Sequence, residues 1–562
     1  MEARSKTTRW DLPRCARSMT RIYSIAGSLR SPASKSIGVE VYPTQEWPRV
    51  STRQSPIAIL VGACLAVGIA ISLAPVRFLL RYVVPDDAFY YLVIGRNIAN
   101  GFGSTFDRLA STNGYHPLWM VPVVIVSRCF GGNLARLRIV LSSCAALDAF
   151  SVWIFYRILS RLEVDYRRCL LVTALFTVAW VTRLWNGPLN GLETSLNLAL
   201  TLGYLAIVIR AISEHEQDWI TRGVIVGLLF LARTDNFLLI GTAEAFTLWH
   251  VGLRKSIRAR LYVAAIATAI ALPWLGWCWW EFGSIVQVSG KSTAFLVNRN
   301  VTASWSAFDY ASQMLRNAGE LLCYSFAAPR VKNSVWFPTA ILLVVSPISL
   351  TASRLGKTPT TLHLERALLW FVGVYSLGFL AMHTVRIVEI RPWYYSSLVP
   401  LIWLATARLM CRMRLPLLLV FGAEVLFLSA CLWWVSLHSA GWGNPPVRFE
   451  VASILPKELP PGSSIGIFNA GTIAYFDQTH RIVNLDGLVN NQAYSYIKAL
   501  DLCDYILREH LNAIGDDAPT LKAWKPIFGA NRDSCFGAHR SLAKNGAGQD
   551  WVLYQVRNDR NR

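Results

Sequence analysis

The feature that most constrains this chain is a series of apolar segments, many of them near the length that crosses a bilayer, bordered by Lys or Arg. A transmembrane helix needs about 20 predominantly apolar residues. The composition agrees, because 53% of the 562 residues are hydrophobic, 16% are charged and the mean hydropathy is +0.36. Such a chain is too apolar for one soluble domain. The predicted fold class is a mainly α, polytopic membrane protein.

The positions of the basic residues predict how the segments are oriented. The net charge is +21, from 55 Lys and Arg against 34 Asp and Glu. These cations crowd residues 4–53 and short loops beside apolar segments, which follows the positive-inside rule and argues against a nucleic-acid partner. We therefore expect a basic, disordered cytosolic tail over residues 1–55 and a membrane domain over residues 56–438.

Two segments decide which polar motifs share one side of the membrane. Residues 117–130 are short and contain Pro122, so we expect a re-entrant or interfacial helix. Residues 224–251 are bordered by basic residues at both ends, which predicts a hairpin with Arg233 and Asp235 at its outer tip. Together with the nine single spans below, the hairpin gives about 11 crossings and places the loops 81–116 and 282–334 outside. The single spans are expected at residues 57–80, 139–159, 169–185, 191–212, 261–281, 335–353, 367–385, 393–410 and 415–437.

The sequence changes character near residue 439. Proline pairs, more charge and short apolar runs separated by turn residues predict a small α/β domain over residues 439–562, outside the membrane. We expect strands at residues 464–468, 481–485 and 551–556 and a short helix at residues 470–476. Cys503 and Cys535 lie in this region, and both a disulfide and two free thiols remain open.

Two adjacent carboxylates, Asp86 and Asp87, stand near the start of the first outer loop. Each carboxylate disfavours the ionisation of its neighbour, so such a pair suits a general base that accepts a hydroxyl proton. The alternative is structural, because Asp residues in the first turn of a helix interact favourably with the helix dipole. The residues alone leave both interpretations open.

Further polar and aromatic residues are expected at the same outer face. Cations there are able to bind phosphate, and a carboxylate at the end of a span needs a partner or a water-filled cavity. For each residue the alternative is an ordinary structural role, such as pairing of Arg233 with Asp235. The candidates for binding the donor phosphate or the substrate are Tyr90, Asn113, His116, Glu193, Arg233, Asp235, Lys291, Arg391 and Tyr394.

Nucleotide and zinc motifs are absent from the sequence. It contains neither a Walker phosphate loop, nor a strand-linked dinucleotide fingerprint, nor a His/Cys cluster with zinc spacing. An enzyme that works outside the cytosol has no nucleotide supply, so we expect an activated substrate that arrives on a lipid. Because phosphate is a good leaving group, sugar transfer from a lipid phosphate needs one base and cationic help, whereas glycoside hydrolysis generally needs a second carboxyl group.

A set of short motifs spread over roughly residues 55–500 carries a family resemblance. They are Asp86-Asp87, Thr112-Asn113-Gly114, Pro117-Leu118-Trp119, Gly191-Leu192-Glu193-Thr194, Arg233-Thr234-Asp235, Arg391-Pro392-Trp393-Tyr394 and Val483-Asn484-Leu485-Asp486-Gly487. In these motifs the chain resembles GT-C integral-membrane glycosyltransferases, nearest to the bacterial polyprenyl-phosphate-sugar enzymes that include terminal arabinofuranosyltransferases. Thr234 departs from the family, in which proline is common at that place.

The resemblance implies a GT-C fold in the bilayer of a bacterial cytoplasmic (inner) membrane. It further implies a polyprenyl-phosphate monosaccharide donor and a cell-envelope glycan or glycolipid acceptor on the outer face. Asp86 is then the expected base, and Asp87 is its companion or a metal ligand. A divalent cation (Mg, Mn or Ca) is left open, because some members of the family use one and others do not.

Three other functions compete with this interpretation. A transporter or flippase for a lipid-linked sugar also has many spans, but it predicts repeat symmetry and charges in the middle of spans. An oligosaccharyl- or protein mannosyltransferase keeps the fold and changes the substrate. A phosphoethanolamine-type transferase is disfavoured because its zinc ligands are missing. The C-terminal domain either binds the acceptor or caps the catalytic face.

Overall fold

The computed structural model describes most of the chain beyond its N-terminal tail. The predicted tail and the predicted span at residues 335–353 lie outside the described residues. The described residues are 55–162, 165–181, 183, 187–213, 218–326, 359–412, 415–438, 445–529, 535–544 and 548–557.

Helices dominate the part of the chain before residue 440, as the apolar segments predict. Apolar helices satisfy their backbone hydrogen bonds internally, which the lipid environment requires. The helices are α1 (Ser55–Ser72), α2 (Val76–Tyr82), α3 (Asp86–Ala99), α4 (Pro117–Cys129), α5 (Asn133–Arg161), α6 (Tyr166–Val181), α7 (Thr194–Ser213), α8 (Trp219–Ala232), α9 (Phe237–Val251), α10 (Leu253–Phe282), α11 (Val288–Val297), α12 (Ala307–Ser325), α13 (Pro359–Ile387), α14 (Leu398–Arg412) and α15 (Leu415–His438).

The predicted count of about 11 crossings is not confirmed. Within the described residues, 4 helices are long and apolar enough to cross a membrane, or 5 if a bent pair counts as one span. Several other apolar helices, α4 and α8 among them, have only 10–17 residues. The apolar helices indicate a membrane-embedded chain, and the number of its crossings stays a prediction.

The first predicted span, residues 57–80, is not one continuous helix. The chain breaks after α1, and α2 leaves at an angle of 110° to it. Pro75 stands immediately before α2 with an extended backbone. Proline disfavours helical geometry at the residue before it and cannot donate to the preceding turn, which accounts for a break at this place.

Two other predicted segments form helices at the expected places, and their placement in the membrane stays a prediction. Residues 117–129 form the short helix α4, which is not among the candidate spans. At the predicted hairpin, α8 and α9 are joined by a 3-10 turn at Thr234–Asn236, although α8 packs mainly against α10 rather than against α9. Arg233 and Asp235 thus stand at its tip.

The C-terminal domain, residues 445–557 of the described chain, is built on a small mixed sheet. The strand order is β2-β1-β3-β5-β4, with β1 parallel to both β2 and β3 and with β5 antiparallel to β3. Three strands and the short helix were predicted, while β3 and β4 were missed. The elements are α16 (Pro445–Glu458), β1 (Ser464–Ile467), α17 (Gly471–Phe476), β2 (Arg481–Asn484), α18 (Asn491–Ala499), α19 (Leu502–Arg508), β3 (Ala513–Asp517), α20 (Ala518–Trp524), β4 (His539–Lys544) and β5 (Asp550–Gln555).

The C-terminal domain shares a hydrophobic core with the first helices of the membrane domain. Phe89 of α3 packs against Tyr475 and Phe476 of α17, with ring centroids 5.3 and 5.8 Å apart. Val451 of α16 is fully buried in the same core. Within the domain, Cys503 and Cys535 form a disulfide, which decides between the two alternatives that the sequence left open.

Candidate active site

Asp86 and Asp87 are the first two residues of α3, after the extended residue Pro85. The structural alternative from the sequence applies to Asp86, although the helix that it caps belongs to the C-terminal domain. Its Oδ2 accepts a hydrogen bond from Gly471 N at 3.0 Å, and its Oδ1 accepts from Thr472 N at 2.9 Å and from Thr472 Oγ1 at 2.6 Å. Asp86 therefore joins α3 to the first turn of α17.

Asp87 has a different environment from its neighbour. Among the described residues, none donates a hydrogen bond to its carboxylate. Burial and the charge of Asp86 raise the pKa of Asp87 to about 6, while Arg391 and Arg448 act in the opposite direction. A carboxylate with free lone pairs and a pKa near neutrality is suited to accept a proton from a hydroxyl group.

The hairpin tip forms a buried ion-pair network. Arg233 donates from Nη1 to Glu193 Oε1 at 2.7 Å, and from Nε and Nη2 to the two carboxylate oxygens of Asp235 at 3.0 and 2.9 Å. Glu193 Oε2 accepts from the Tyr91 hydroxyl at 2.9 Å, and the guanidinium of Arg233 lies 4.2 Å from the ring centroid of Tyr394. The pairing of Arg233 with Asp235 that the sequence left open is present.

Two histidines extend this network. His383 Nε2 lies 3.1 Å from Asp235 Oδ2, and Arg233 together with His383 holds the pKa of Asp235 well below its usual range despite burial. His116 Nε2 lies 3.7 Å from Glu193 Oε1, and its Nδ1 lies 3.2 Å from Gln287 Nε2. Burial lowers the pKa of His116. Its contacts with Glu193 and Gln287 favour the structural alternative.

The Thr112-Asn113-Gly114 motif connects the outer loop to two other parts of the chain. Asn113 Oδ1 accepts hydrogen bonds from Val288 N and from Asn491 Nδ2, both at 3.1 Å. A Cβ atom at Gly114 would collide with the carbonyl oxygen of Leu488, so only glycine fits there. Both contacts give the motif a structural role between the outer loop, α11 and the C-terminal domain.

Cations without carboxylate partners border the same region. Within the described residues neither Lys291 nor Arg391 makes an ion pair; Lys291 is partly buried and Arg391 is exposed. Arg391 is close enough to Asp87 to lower its pKa. Arg386 also reaches this region, because its Nη2 would lie 3.4 Å from a Cβ atom at Gly290.

Tyr90 and the motif Val483-Asn484-Leu485-Asp486-Gly487 meet at the carboxyl end of β2. The Tyr90 hydroxyl lies 3.3 Å from the carbonyl oxygen of Phe468 and 3.4 Å from Asp486 Oδ2. Burial raises the pKa of Asp486 well above its ordinary value, and the nearby Asp87 and Asp86 add to that effect. The predicted acidic pair and the Asp486 motif, nearly 400 residues apart in sequence, thus share one site.

The structure brings the predicted site residues into one continuous region. Asn113, His116 and Gln287 connect the network at the hairpin tip to the start of α11, which carries Lys291. Among the described residues, no group of three or more His, Cys, Asp or Glu side chains is arranged to hold a metal ion. The assignment of Asp87 as a metal ligand therefore stays a prediction.

Two residues of the site were missed at the level of sequence. His383 was overlooked within an apolar segment, although an ionisable residue inside such a segment is by itself a signal of a functional or paired group. Arg448 follows a proline pair and belongs to no recognisable motif, so only its position near Asp86 reveals it.

Comparisons with known proteins agree with this architecture. A family model described as "Domain of unknown function (DUF8728)" matches residues 440–554. No curated protein matches the chain. The crystal structure of ArnT from Cupriavidus metallidurans bound to undecaprenyl phosphate is 11% identical with a TM-score of 0.55, and the match covers 90% of this chain and 98% of ArnT.

Two further crystal structures share the fold. ArnT from Cupriavidus metallidurans in the apo state is 12% identical with a TM-score of 0.52, covering 90% of this chain and 99% of ArnT. The Archaeoglobus fulgidus oligosaccharyltransferase tethered with an acceptor peptide is 12% identical with a TM-score of 0.50, covering 89% and 74% of the two chains. At these identities the likeness shows the fold alone. The chain therefore shares the fold of ArnT and of this oligosaccharyltransferase, which agrees with the GT-C fold that its motifs predict.

Proposed function

We propose that this chain transfers a monosaccharide from a polyprenyl-phosphate donor to a hydroxyl group of a cell-envelope glycan or glycolipid on the outer face of a bacterial inner membrane. The observation that carries the proposal is Asp87, a carboxylate that lacks a hydrogen-bond donor among the described residues and has a pKa raised to about 6 by burial and by Asp86. The fold shared with ArnT bound to undecaprenyl phosphate supports a lipid-phosphate donor.

In the proposed reaction, the acceptor hydroxyl attacks the anomeric carbon of the donor sugar. Its proton moves to a carboxylate oxygen of Asp87, and a new bond forms between the acceptor oxygen and the anomeric carbon. The bond between that carbon and the phosphate oxygen breaks, and the lipid phosphate leaves with the electron pair. A general base of this kind contributes a factor of roughly 10²–10⁴ to the rate.

The family resemblance implies Asp86 as the base, but we assign this role to Asp87. The carboxylate oxygens of Asp86 accept hydrogen bonds from Gly471 and Thr472, so its lone pairs are already engaged. The contacts of Asp86 support a positioning role instead. It fixes the first turn of α3, on which Asp87 stands.

The donor phosphate is assigned to Lys291 and Arg391. Both lack carboxylate partners among the described residues, and a departing phosphate needs compensating positive charge. Arg233 was an equal candidate from the sequence, but Glu193 and Asp235 neutralise it. We therefore assign Arg233 to the framework of the site, with Tyr90 and Tyr394 on the wall of the sugar pocket.

The finer specificity rests on the motif resemblance alone, which favours a pentose donor such as arabinofuranose over a hexose. A transporter for a lipid-linked sugar is the alternative from the sequence, and the shared fold of ArnT and the oligosaccharyltransferase favours transfer over transport. The described site contains no observation that favours transport specifically.

The test is a transfer assay with the full-length protein in membranes. Polyprenyl phosphates that carry radiolabelled pentoses or hexoses are incubated with wild type, Asp86→Asn and Asp87→Asn, and label in the glycan fraction is counted. Asp504→Asn is the matched control, because Asp504 forms an ion pair with Arg508 on the surface of the C-terminal domain. We expect the largest loss for Asp87→Asn and no loss for the control.

Two results would contradict the proposal. Wild-type protein that transfers none of the supplied sugars, while it binds or moves the lipid across vesicles, would favour the transporter. Full transfer by Asp87→Asn would remove the proposed base, and full transfer by Asp86→Asn as well would remove the acidic pair from the mechanism.

A further inference from the structure

The C-terminal domain holds Asp86 where a sheet of this topology ordinarily binds a ligand. The parallel strands β2 and β3 lie on opposite sides of β1, so the order in which the strands are added to the sheet reverses between β1 and β3. In α/β sheets, ligands usually bind in the crevice outside the carboxyl ends of the strands at such a point. Here the crevice contains the carboxylate of Asp86, bonded to the backbone of Gly471 and Thr472 directly after β1. The membrane domain thus inserts its own carboxylate into the domain.

The close fit at this contact leaves little freedom for either partner. A Cβ atom at Gly471 would collide with the backbone carbonyl oxygen of Asp86. At the neighbouring end of β3, Asp516 Oδ2 accepts a hydrogen bond from Asn469 N at 2.9 Å. The carboxyl ends of β1 and β3 are therefore joined to each other and to the first residue of α3.

Arg448 of α16 is the cation that the domain adds to this contact. Its Nη1 lies 3.6 Å from Asp86 Oδ1 and its Nη2 lies 3.8 Å from Asp517 Oδ2, while its side chain is only 12% exposed. Its Nε has no hydrogen-bond partner among the described residues. The titratable groups around Arg448 are Asp86, Asp87, Tyr90, Asp516 and Asp517.

We propose that Arg448 is a positioning residue of the transfer site, which acts on Asp87 through Asp86 and so makes the C-terminal domain a part of the catalytic machinery. The inference rests on the proposed function, and it gives a role to a domain whose family model is described only as of unknown function. Arg448 touches neither reacting atom. It balances the charge of Asp86, whose hydrogen bonds from Gly471 and Thr472 fix the first turn of α3, on which Asp87 stands.

The experiment compares four variants of the full-length protein in the transfer assay, with kcat and the donor KM measured separately. Arg448→Gln removes the charge, Arg448→Lys keeps it, Thr472→Val removes one hydrogen bond to Asp86 at nearly constant volume, and Arg540→Gln is the control. Arg540 is a matched choice because it forms an ion pair with Glu458 at the other end of α16, on the surface. Thermal unfolding of each purified variant reports on folding.

We expect Arg448→Gln to lower kcat about tenfold with little change in the donor KM, as for a group that acts in the transition state only. Arg448→Lys should recover most of that loss, and Thr472→Val should lower kcat about threefold. Combined with Asp86→Asn, Arg448→Gln should add nothing further, because both act on the same contact. If Arg448→Gln does not fold, Thr472→Val and Arg448→Lys carry the test.

The inference is overturned if Arg448→Gln leaves kcat unchanged, if Arg540→Gln causes the same loss, or if the effects of Arg448→Gln and Asp86→Asn multiply independently. In each of these cases wild-type transfer is intact and the proposed function stands. Absence of transfer by the wild type overturns the proposed function, and the inference falls with it.

Discussion

The two charged regions of this site differ in how completely their groups are paired. At the hairpin tip, Arg233 makes short hydrogen bonds to Glu193 and Asp235. Around the acidic pair, Asp87 has no donor within the described residues, and Arg448 stays 3.6 Å from its nearest partner. Asp87 is half-buried, so its carboxylate is accessible to a ligand or to a hydroxyl group, whereas the Nε of Arg448 is buried without a hydrogen-bond partner among the described residues. We therefore propose that the first region is a framework and that the second is the reactive part.

The variant Asp87→Asn tests the difference between the two regions with the largest expected effect. We expect transfer to fall by a factor of about 10²–10⁴, because the proton acceptor is lost. The melting temperature at pH 7 should not fall, since the raised pKa of Asp87 means that its charge costs folding energy there. The loss of transfer and the unchanged melting temperature are both checked by measuring activity and thermal unfolding on the same preparation. A variant that loses stability together with activity would place Asp87 in the framework.

Arg233→Met should have the opposite signature. Removing the guanidinium from this buried network leaves Glu193 and Asp235 without their permanently charged partner, at a cost of about 3–5 kcal/mol, although Tyr91 and His383 still contact them. We expect a strongly lowered melting temperature and poor recovery of folded protein in detergent. Arg222→Met is a useful contrast, because Glu244 retains Arg260 as a second partner. Equal melting temperatures for wild type and Arg233→Met would contradict the framework role.

The sequence predicted the positions of these charged residues better than their individual roles. Adjacent carboxylates are visible as a motif, and the positive-inside rule with two segment assignments was enough to predict a shared face for Asp86, Arg233 and Arg391. The sequence could not distinguish the roles of Asp86 and Asp87, because the difference lies in hydrogen bonds from Gly471 and Thr472, which are remote in the chain. Long-range contacts of this kind leave no local pattern.

The fold was predictable to a similar depth. Apolar length and flanking charge gave most helix positions and the hairpin, and short apolar runs gave β1, β2 and β5. The break at Pro75 was missed because an apolar run reads as continuous when only its length is considered. β4 was missed because most of its residues are exposed and polar, so it carries no hydrophobic alternation.

The pH dependence of transfer sharpens the assignment of the base. The pKa of Asp87 is raised to about 6, so it is charged above that pH and protonated below it. We expect kcat/KM to be flat near pH 7–8 and to fall about tenfold per unit as pH drops through 6. Asp86→Asn should move this limb to lower pH, because the neighbouring negative charge is removed. A limb that stays in place in that variant would contradict the coupling of the pair.

The smallest expected effects are those of the cations. Lys291→Ala and Arg391→Ala should each raise the donor KM about five- to tenfold, with the larger effect at low salt because exposed charges are screened. Polyprenyl phosphate without a sugar competes with the donor for the phosphate site. In both variants we expect it to inhibit transfer more weakly, with a higher inhibition constant. Arg540→Ala serves as control. Unchanged donor affinity in the Lys291→Ala/Arg391→Ala double variant would remove both residues from the phosphate site.

The disulfide between Cys503 and Cys535 has a consequence for the sidedness of the molecule. Such bridges persist in oxidising compartments and are rare in a reducing cytosol. Seven other cysteines of the described chain form no disulfide, and all of them lie within the helices of the membrane domain. The oxidation state of this one pair is therefore a natural compartment marker. Alkylation of the protein before and after reduction, read by mass spectrometry, tells which side of the membrane the domain has reached without any added reporter.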